Sequence, residues 1–318
     1  MYNIKRGDFM LCLNPNDKIE CQPFIVRKIY KKVSQNKKEY YHLQISHGIK
    51  NYDAKIWNFK DEISVNITPG CFANVWGTVK DFKGNLQIHI DKILKIENPD
   101  EDLIQQITPT CNTDPLKLEI EINKLISSVK HPKLNSLLNS IFNLPEIINN
   151  FYLKAAGAEI HHAYIGGLAE HTIEVTKIVI FLCNIYNYIN RDLAVTASLL
   201  HDIGKVIELS NFPENKYTDA GRMLGHIYLG TDLISAEANK IADFPNDLLL
   251  DLKHCILAHH GTLEMGSPVV PMTIEAIALH NADKMSAEIN GFNLAIQRDT
   301  NTGNWTEFNN IYKRYIKK

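Results

Sequence analysis

Polar and apolar residues alternate with a period of two through the first hundred positions of this chain, the pattern of strands with one buried face. In "YYHLQIS" Tyr41, Leu43 and Ile45 alternate with His42 and Gln44; in "NLQIHIDKI" Leu86, Ile88 and Ile90 alternate with Gln87, His89 and Asp91. Between "CFANVWGTV" and the second of these runs, "DFKGN" reads as a tight hairpin in which Gly84 supplies a positive φ. About five such strands, with no helical period among them, predict a small closed barrel, because closure removes exposed sheet edges. A five-stranded OB-like barrel is the economical form.

The pattern changes at "ENPDEDLIQQITPTCNTDP", which is rich in acids, Pro, Thr and Asn and reads as a linker. Beyond it, "LKLEIEINKLISSV", "PKLNSLLNSIF" and "GGLAEHTIEVTKIVIFLCNIY" space their apolar residues by three and four, as helices do. The expected organisation is an all-β barrel over residues 1–97, a linker over 98–115 and an all-α domain over 116–318.

Several polar residues interrupt the apolar stripes of that second domain. His171 shares a face with Leu168, Val175, Ile178 and Leu182, while "SLLHDIGKV" ends a small and aliphatic run in His201, Asp202, Gly204 and Lys205. His259 lies on the face of Leu252 and Ile256 with His260 beside it, Asp283 lies one turn after Leu279, and His226 falls between these segments. One histidine on an apolar face is ordinarily a hydrogen-bonded core residue, and one aspartate after a helix is ordinarily a cap. Five imidazoles and two carboxylates converging from separate helices are hard to satisfy pairwise, whereas divalent metals take such ligands directly.

Charge adds an asymmetry to this picture. Residues 1–96 hold 16 Lys and Arg against 9 Asp and Glu, and the rest of the chain holds 18 against 27, so a basic first third precedes an acidic remainder. Such a barrel suits a polyanion. Tyr30, Tyr40, Trp57, Trp76 and Phe82 interleave with Lys31, Lys32 and further lysines, and stacking on aromatics within a basic groove is how OB barrels hold single strands. Tyr41 belongs to the core face, which makes Tyr40 the better contact; "YKRYIKK" at the end of the chain is either a further guide or a solvated tail. The six cysteines are scattered, with no CxxC pair and no close spacing, so neither a disulfide framework nor a thiolate zinc site is suggested and free thiols are expected. No leader or membrane-spanning stretch is evident, so a cytoplasmic protein is expected.

The ordered set His171, His201-Asp202, His226, His259-His260 and Asp283 resembles the signature of the HD-domain metal-dependent phosphohydrolases. The stretches "HHAYIGGLAEHT", "LLHDIGKV" and "AHHGTLEMGSPVVPMTIEAIALHNADKM" behind a barrel resemble the YhaM-type family of 3'-to-5' exoribonucleases. That resemblance implies that His171, His201, Asp202 and Asp283 bind one metal, and that Asp202 bridges to a second held by His226 and His259. His260 is either a further ligand or a phosphate contact. It implies manganese first, with iron, cobalt or zinc as alternatives, since magnesium prefers oxygen ligands. Asp202 and Lys205 are the expected catalytic residues. Lys205, one turn after His201, would neutralise a phosphate oxygen. His161 and His162 would line the substrate entrance, and Ser267 the rim of the pocket. The implied partner is single-stranded RNA, with single-stranded DNA and self-association left open. Two other readings fit the same residues: a phosphohydrolase of small or cyclic nucleotides with a regulatory barrel, and a single-strand binding protein whose helical domain is idle.

Overall fold

A computed structural model describes residues 11, 13–57, 66–82, 85–157, 161–299, 301 and 303–318. Five strands, β1 (Lys18–Val33), β2 (Glu39–His47), β3 (Lys50–Ile56), β4 (Phe72–Phe82) and β5 (Asn85–Ile96), form a closed barrel in the order β1-β2-β3-β5-β4. Among the described residues only β3 and β5 pair in parallel, through Asp53, Ala54 and Lys55 against Gln87, Ile88 and His89. The alternation seen in the sequence is the inside-outside alternation of the wall: Leu43, Ile45, Ala54, Val75, Val79 and Ile88 are buried together in the barrel core, with Tyr41 among them. At the bulge between Trp76 and Gly77 the backbones of β4 and β5 come so close that a Cβ on Gly77 would lie 2.2 Å from the His89 carbonyl oxygen. The Lys83-Gly84 turn lies outside the described residues; β4 and β5 are paired as far as Phe82 and Asn85 on either side of it.

Two segments depart from the expected domain division. Within the expected linker, α1 (Glu101–Ile107) is capped by the Asp100 carboxylate, which accepts from the Leu103 amide, and it buries Ile107 with Ile25 and Phe72. Leu103, Ile104 and Ile107 form a short apolar stripe, so these residues have a face to bury and fold rather than link. At the other end of the chain, Phe292–Lys318 groups with Met1–Thr110 and Phe212–Glu214 as one compact unit. The final basic stretch is not a solvated tail. Tyr312 packs on Phe292 at 4.5 Å, Ile316 is buried, and Trp305 bridges to Lys317.

The second compact unit, Cys111–Asn211 with Asn215–Gly291, is helical. It contains α2 (Pro115–Ser127), α3 (Pro132–Phe142), α4 (Pro145–Asn150), α5 (Gly167–Ile185), α6 (Arg191–Leu200), α7 (Lys205–Glu208), α8 (Asp219–Ala238), α9 (Asn246–Ala258) and most of α10 (Ile274–Arg298). The first three open on proline, whose fixed φ and missing N–H suit a first helical turn. Helix α6 starts at Asn190, whose side chain accepts from the Leu193 amide, and is buried on all sides from Leu193 to Leu200. It is the centre of the bundle, which is why the His-Asp pair at its end is buried as well. Among the described residues no helix is long and apolar enough to cross a membrane, and Cys21, Cys71, Cys111, Cys183 and Cys255 are free thiols.

Candidate metal centre

Side chains from the ends of α6 and α9 and from within α5, α8 and α10 converge on Asp202. Its two carboxylate oxygens face different partners. Oδ2 lies 3.4 Å from His201 Nε2 and 3.6 Å from His171 Nε2, while Oδ1 lies 3.4 Å from His226 Nε2 and 3.7 Å from His259 Nε2. Two ligand groups follow from this division: donor atoms of His171, His201 and Asp283 lie within 4.8 Å of one another, and so do those of His226, His259 and His260. All seven expected ligands are therefore gathered at one place, three on each side of a carboxylate.

Each imidazole is oriented by its other nitrogen. His201 Nδ1 donates to the Ser198 carbonyl at 2.8 Å and His259 Nδ1 to the Ile256 carbonyl at 2.7 Å, so each ring closes the last turn of its own helix. His171 Nδ1 meets Ser286 Oγ at 3.0 Å, His226 Nδ1 meets Glu208 Oε1 at 3.0 Å, and His260 Nδ1 meets the Met265 carbonyl at 3.1 Å. With Nδ1 carrying the proton, the Nε2 lone pair is left for the centre, the arrangement found behind metal-ligating histidines.

That donor set fits divalent cations. Asp202 Oδ1, His226 Nε2 and His259 Nε2 are buried and have no hydrogen-bond partner. On the other side His171 Nε2 lies 3.3 Å from His201 Nε2 and 3.1 Å from Asp283 Oδ1, so acceptors face acceptors. Buried acceptors turned on one another cost free energy unless a cation lies between them. Burial alone pushes the Asp202 carboxyl up, but Lys205 and His201 beside it outweigh burial and hold it well below the usual carboxylate range. Burial, together with His201, holds His259 well below the usual imidazole range, which keeps it neutral and able to ligate.

The backbone brings these groups together by close approach. A Cβ on Gly204 would lie 2.1 Å from the His226 carbonyl oxygen, so only glycine lets α8 pass behind the His-Asp turn. Helix α8 is interrupted at Gly225 (φ 71), and the His226 amide there donates to Glu208 Oε1 at 3.0 Å. Glu208 thus holds both the backbone and the ring of His226. Neither Glu208 nor Ser286 was expected at this site. The available sign was a carboxylate inside the apolar turn "KVIEL".

The remaining expected site residues divide. Lys205 is buried with Nζ 2.7 Å from Asp202 Oδ2 and 2.5 Å from the Ala156 carbonyl oxygen, so it reaches the centre through Asp202. His161 is half-buried, its ring 5.6 Å from that of His171, and burial with nearby Lys205 lowers its pKa to about 3. His162 does not line an entrance: it has no accessible surface and sits behind His171, with ring centres 5.0 Å apart. Ser267 is no rim residue either. It is buried, and its hydroxyl meets the Leu257 and Val269 carbonyls at 3.0 and 2.7 Å, which fastens its own loop.

In the barrel unit Tyr40 stacks on Trp57 at 4.6 Å and 26°, and Lys55 Nζ lies 5.4, 5.5 and 5.2 Å from the rings of Tyr40, Trp57 and Phe82. Trp76 lies under Lys92 Nζ at 4.7 Å. Lys31 pairs with Glu39 at 2.9 Å, and Lys32 is exposed. Phe72, on the same wall, is buried in the core.

Residues 168–288, which include every member of the two ligand groups, match the family model described as the HD domain. Over 286 residues the chain is 29% identical to the 3'-5' exoribonuclease YhaM of Geobacillus sp. (strain WCH70), spanning 89% of this chain and 86% of that one. Among solved structures, the second OB-fold domain of replication protein A from Methanococcus maripaludis is 22% identical over 28% of this chain and 90% of that chain, with a TM-score of 0.21. A mitochondrial single-stranded DNA binding protein from S. cerevisiae is 14% identical over 26% of this chain and 100% of that chain, with a TM-score of 0.19.

Proposed function

We propose that this chain, a metal-dependent hydrolase built from an OB-like barrel and an HD domain, removes nucleotides one at a time from the 3' end of single-stranded RNA and releases nucleoside 5'-monophosphates. The observation that carries the reading is the division of Asp202 between two imidazole groups. His171, His201 and Asp283 would hold one cation, His226, His259 and His260 a second, and Asp202 would be shared, with manganese as the resident metal. Two cations in such a site supply an ionised water near neutral pH and the positive charge that a phosphoryl transition state requires. The similarity to a protein named as an exoribonuclease over most of both chains supports RNA as substrate.

The chain's own residues set the conditions for this chemistry. Buried imidazoles with fixed Nε2 lone pairs need no rearrangement on binding, which favours a preorganised centre. Lys205 places a second positive charge against Asp202 and offers a donor for a phosphate oxygen, and His161 on the half-buried side offers an imidazole to the terminal nucleotide. On the barrel, the Tyr40-Trp57 stack, Trp76, and Lys31, Lys32, Lys55 and Lys92 would hold the upstream strand by stacking and charge, with the helical unit as the catalytic part. Free thiols in every described cysteine suit a cytoplasmic site of action.

Competition of RNA against mononucleotides and cyclic dinucleotides, followed by product identification, tests the substrate. RNA is expected to be consumed first and to yield 5'-monophosphates. A strong preference for the small molecules replaces this reading with that of a small-nucleotide phosphohydrolase.

A further inference from the structure

Behind the two ligand groups a third set of donors converges. His162 and two carboxylates of α5, Glu170 and Glu174, offer ligand atoms that lie within 4.8 Å of one another. His162 Nε2 is 3.2 Å from Glu174 Oε2. The ring is fully buried and, among the described residues, has that carboxylate as the one polar group facing Nε2 and no hydrogen-bond partner at Nδ1. A buried imidazole kept for packing alone ordinarily satisfies both nitrogens, since each unmet buried polar atom costs free energy.

The backbone holds this ring in place against strain. His162 has φ 44, a left-handed conformation that side-chain-bearing residues seldom adopt. Its amide donates to Asn290 Oδ1 at 2.8 Å, its carbonyl accepts from the Ala156 amide at 3.1 Å, and a Cβ on Gly167 would lie 2.0 Å from that carbonyl oxygen. The two glutamates are four residues apart on one helix face, where like charges repel. A cation reverses the sign of that interaction. Both also line a groove with Lys117, Glu121 and Lys177, which gives an ion a route from solvent.

We propose that His162, Glu170 and Glu174 bind a third divalent cation, separate from the pair expected at Asp202. One imidazole and two carboxylates suit manganese, iron or zinc. The site also reaches the centre. Ser286 Oγ donates to Glu174 Oε2 at 2.7 Å and meets His171 Nδ1 at 3.0 Å, so a cation held by Glu174 would fix the outer partners of a ligand in the first group. It acts as a positioning site and does not depend on the substrate being RNA.

Crystals of the full chain grown with manganese, measured for anomalous scattering at the manganese edge, test this without any variant. The expected result is two peaks flanking Asp202 and a third between His162, Glu170 and Glu174. Elemental analysis should give three manganese ions per chain, falling to two in Glu170→Gln and in His162→Gln. Peaks at Asp202 with none at His162 overturn the proposal and show an imidazole-carboxylate pair without a metal. So does a count of three that both variants retain. Neither outcome depends on RNA digestion, so failure of the substrate reading is distinguishable from failure of this one.

Discussion

At the scale of single residues, the account rests on how Asp202 spends its two oxygens. Asp202→Asn keeps the shape and removes the shared charge, and it should lower manganese retention and RNA digestion more than about 100-fold, beyond the roughly 10–100-fold typical of losing an outer partner of a ligand. Glu208→Gln is that outer case. Since Glu208 Oε1 takes both the amide and the ring of His226, the variant should weaken manganese binding by about 10–100-fold while the fold persists, read by metal titration with circular dichroism as the control. The residues that converge on Asp202 were legible in the sequence because an imidazole on an apolar stripe is conspicuous. Glu208, Ser286 and Glu174 were not, because a carboxylate or hydroxyl on a helix looks the same whether it meets water or an imidazole. His162 and Ser267 were misplaced for a related reason: sequence shows that a polar residue is near a site, and not which way the chain turns it.

At the scale of elements, two helix ends and one close helix approach shape the centre. His201 and His259 each close the final turn of a helix with Nδ1, and Gly204 lets α8 come within contact of the turn after α6. A Cβ at Gly204 would meet backbone, which cannot swing aside as a side chain can. Gly204→Ala should therefore destabilise the chain by about 1–3 kcal/mol and weaken manganese binding together, measured as a lowered Tm and a right-shifted metal titration. An unchanged Tm would mean that α8 approaches less closely. Periodicity recovered the strands and the long helices, since core-facing stripes carry that signal. It missed α1, whose stripe is too short to stand out from an acidic surrounding, and the break at Gly225, which is fixed by the Glu208 contact to the next amide.

For the whole molecule, the proposed function divides between the barrel, which would hold the strand, and the helical unit, which would cut it. Trp57→Ala removes the partner of Tyr40 and one of the rings under Lys55, and it should weaken binding of a single-stranded oligonucleotide by about 1–3 kcal/mol, roughly 5- to 150-fold, in fluorescence anisotropy. Hydrolysis of a small phosphodiester that carries no bases to stack should be unchanged. The barrel architecture and the two-part organisation were legible from the change of period near residue 97. The return of Phe292–Lys318 to the barrel unit was not, because its small ladder lacks the length for either period to register.

The central claim is that a two-cation centre divided by Asp202 shortens RNA from its 3' end. Its most direct test is the time course of a 5'-end-labelled single-stranded RNA with the wild-type chain, with and without manganese. The account predicts a ladder that shortens in single-nucleotide steps from the 3' end only when manganese is present, with 5'-monophosphates accumulating. RNA that stays intact with manganese, or that is cut internally, contradicts it.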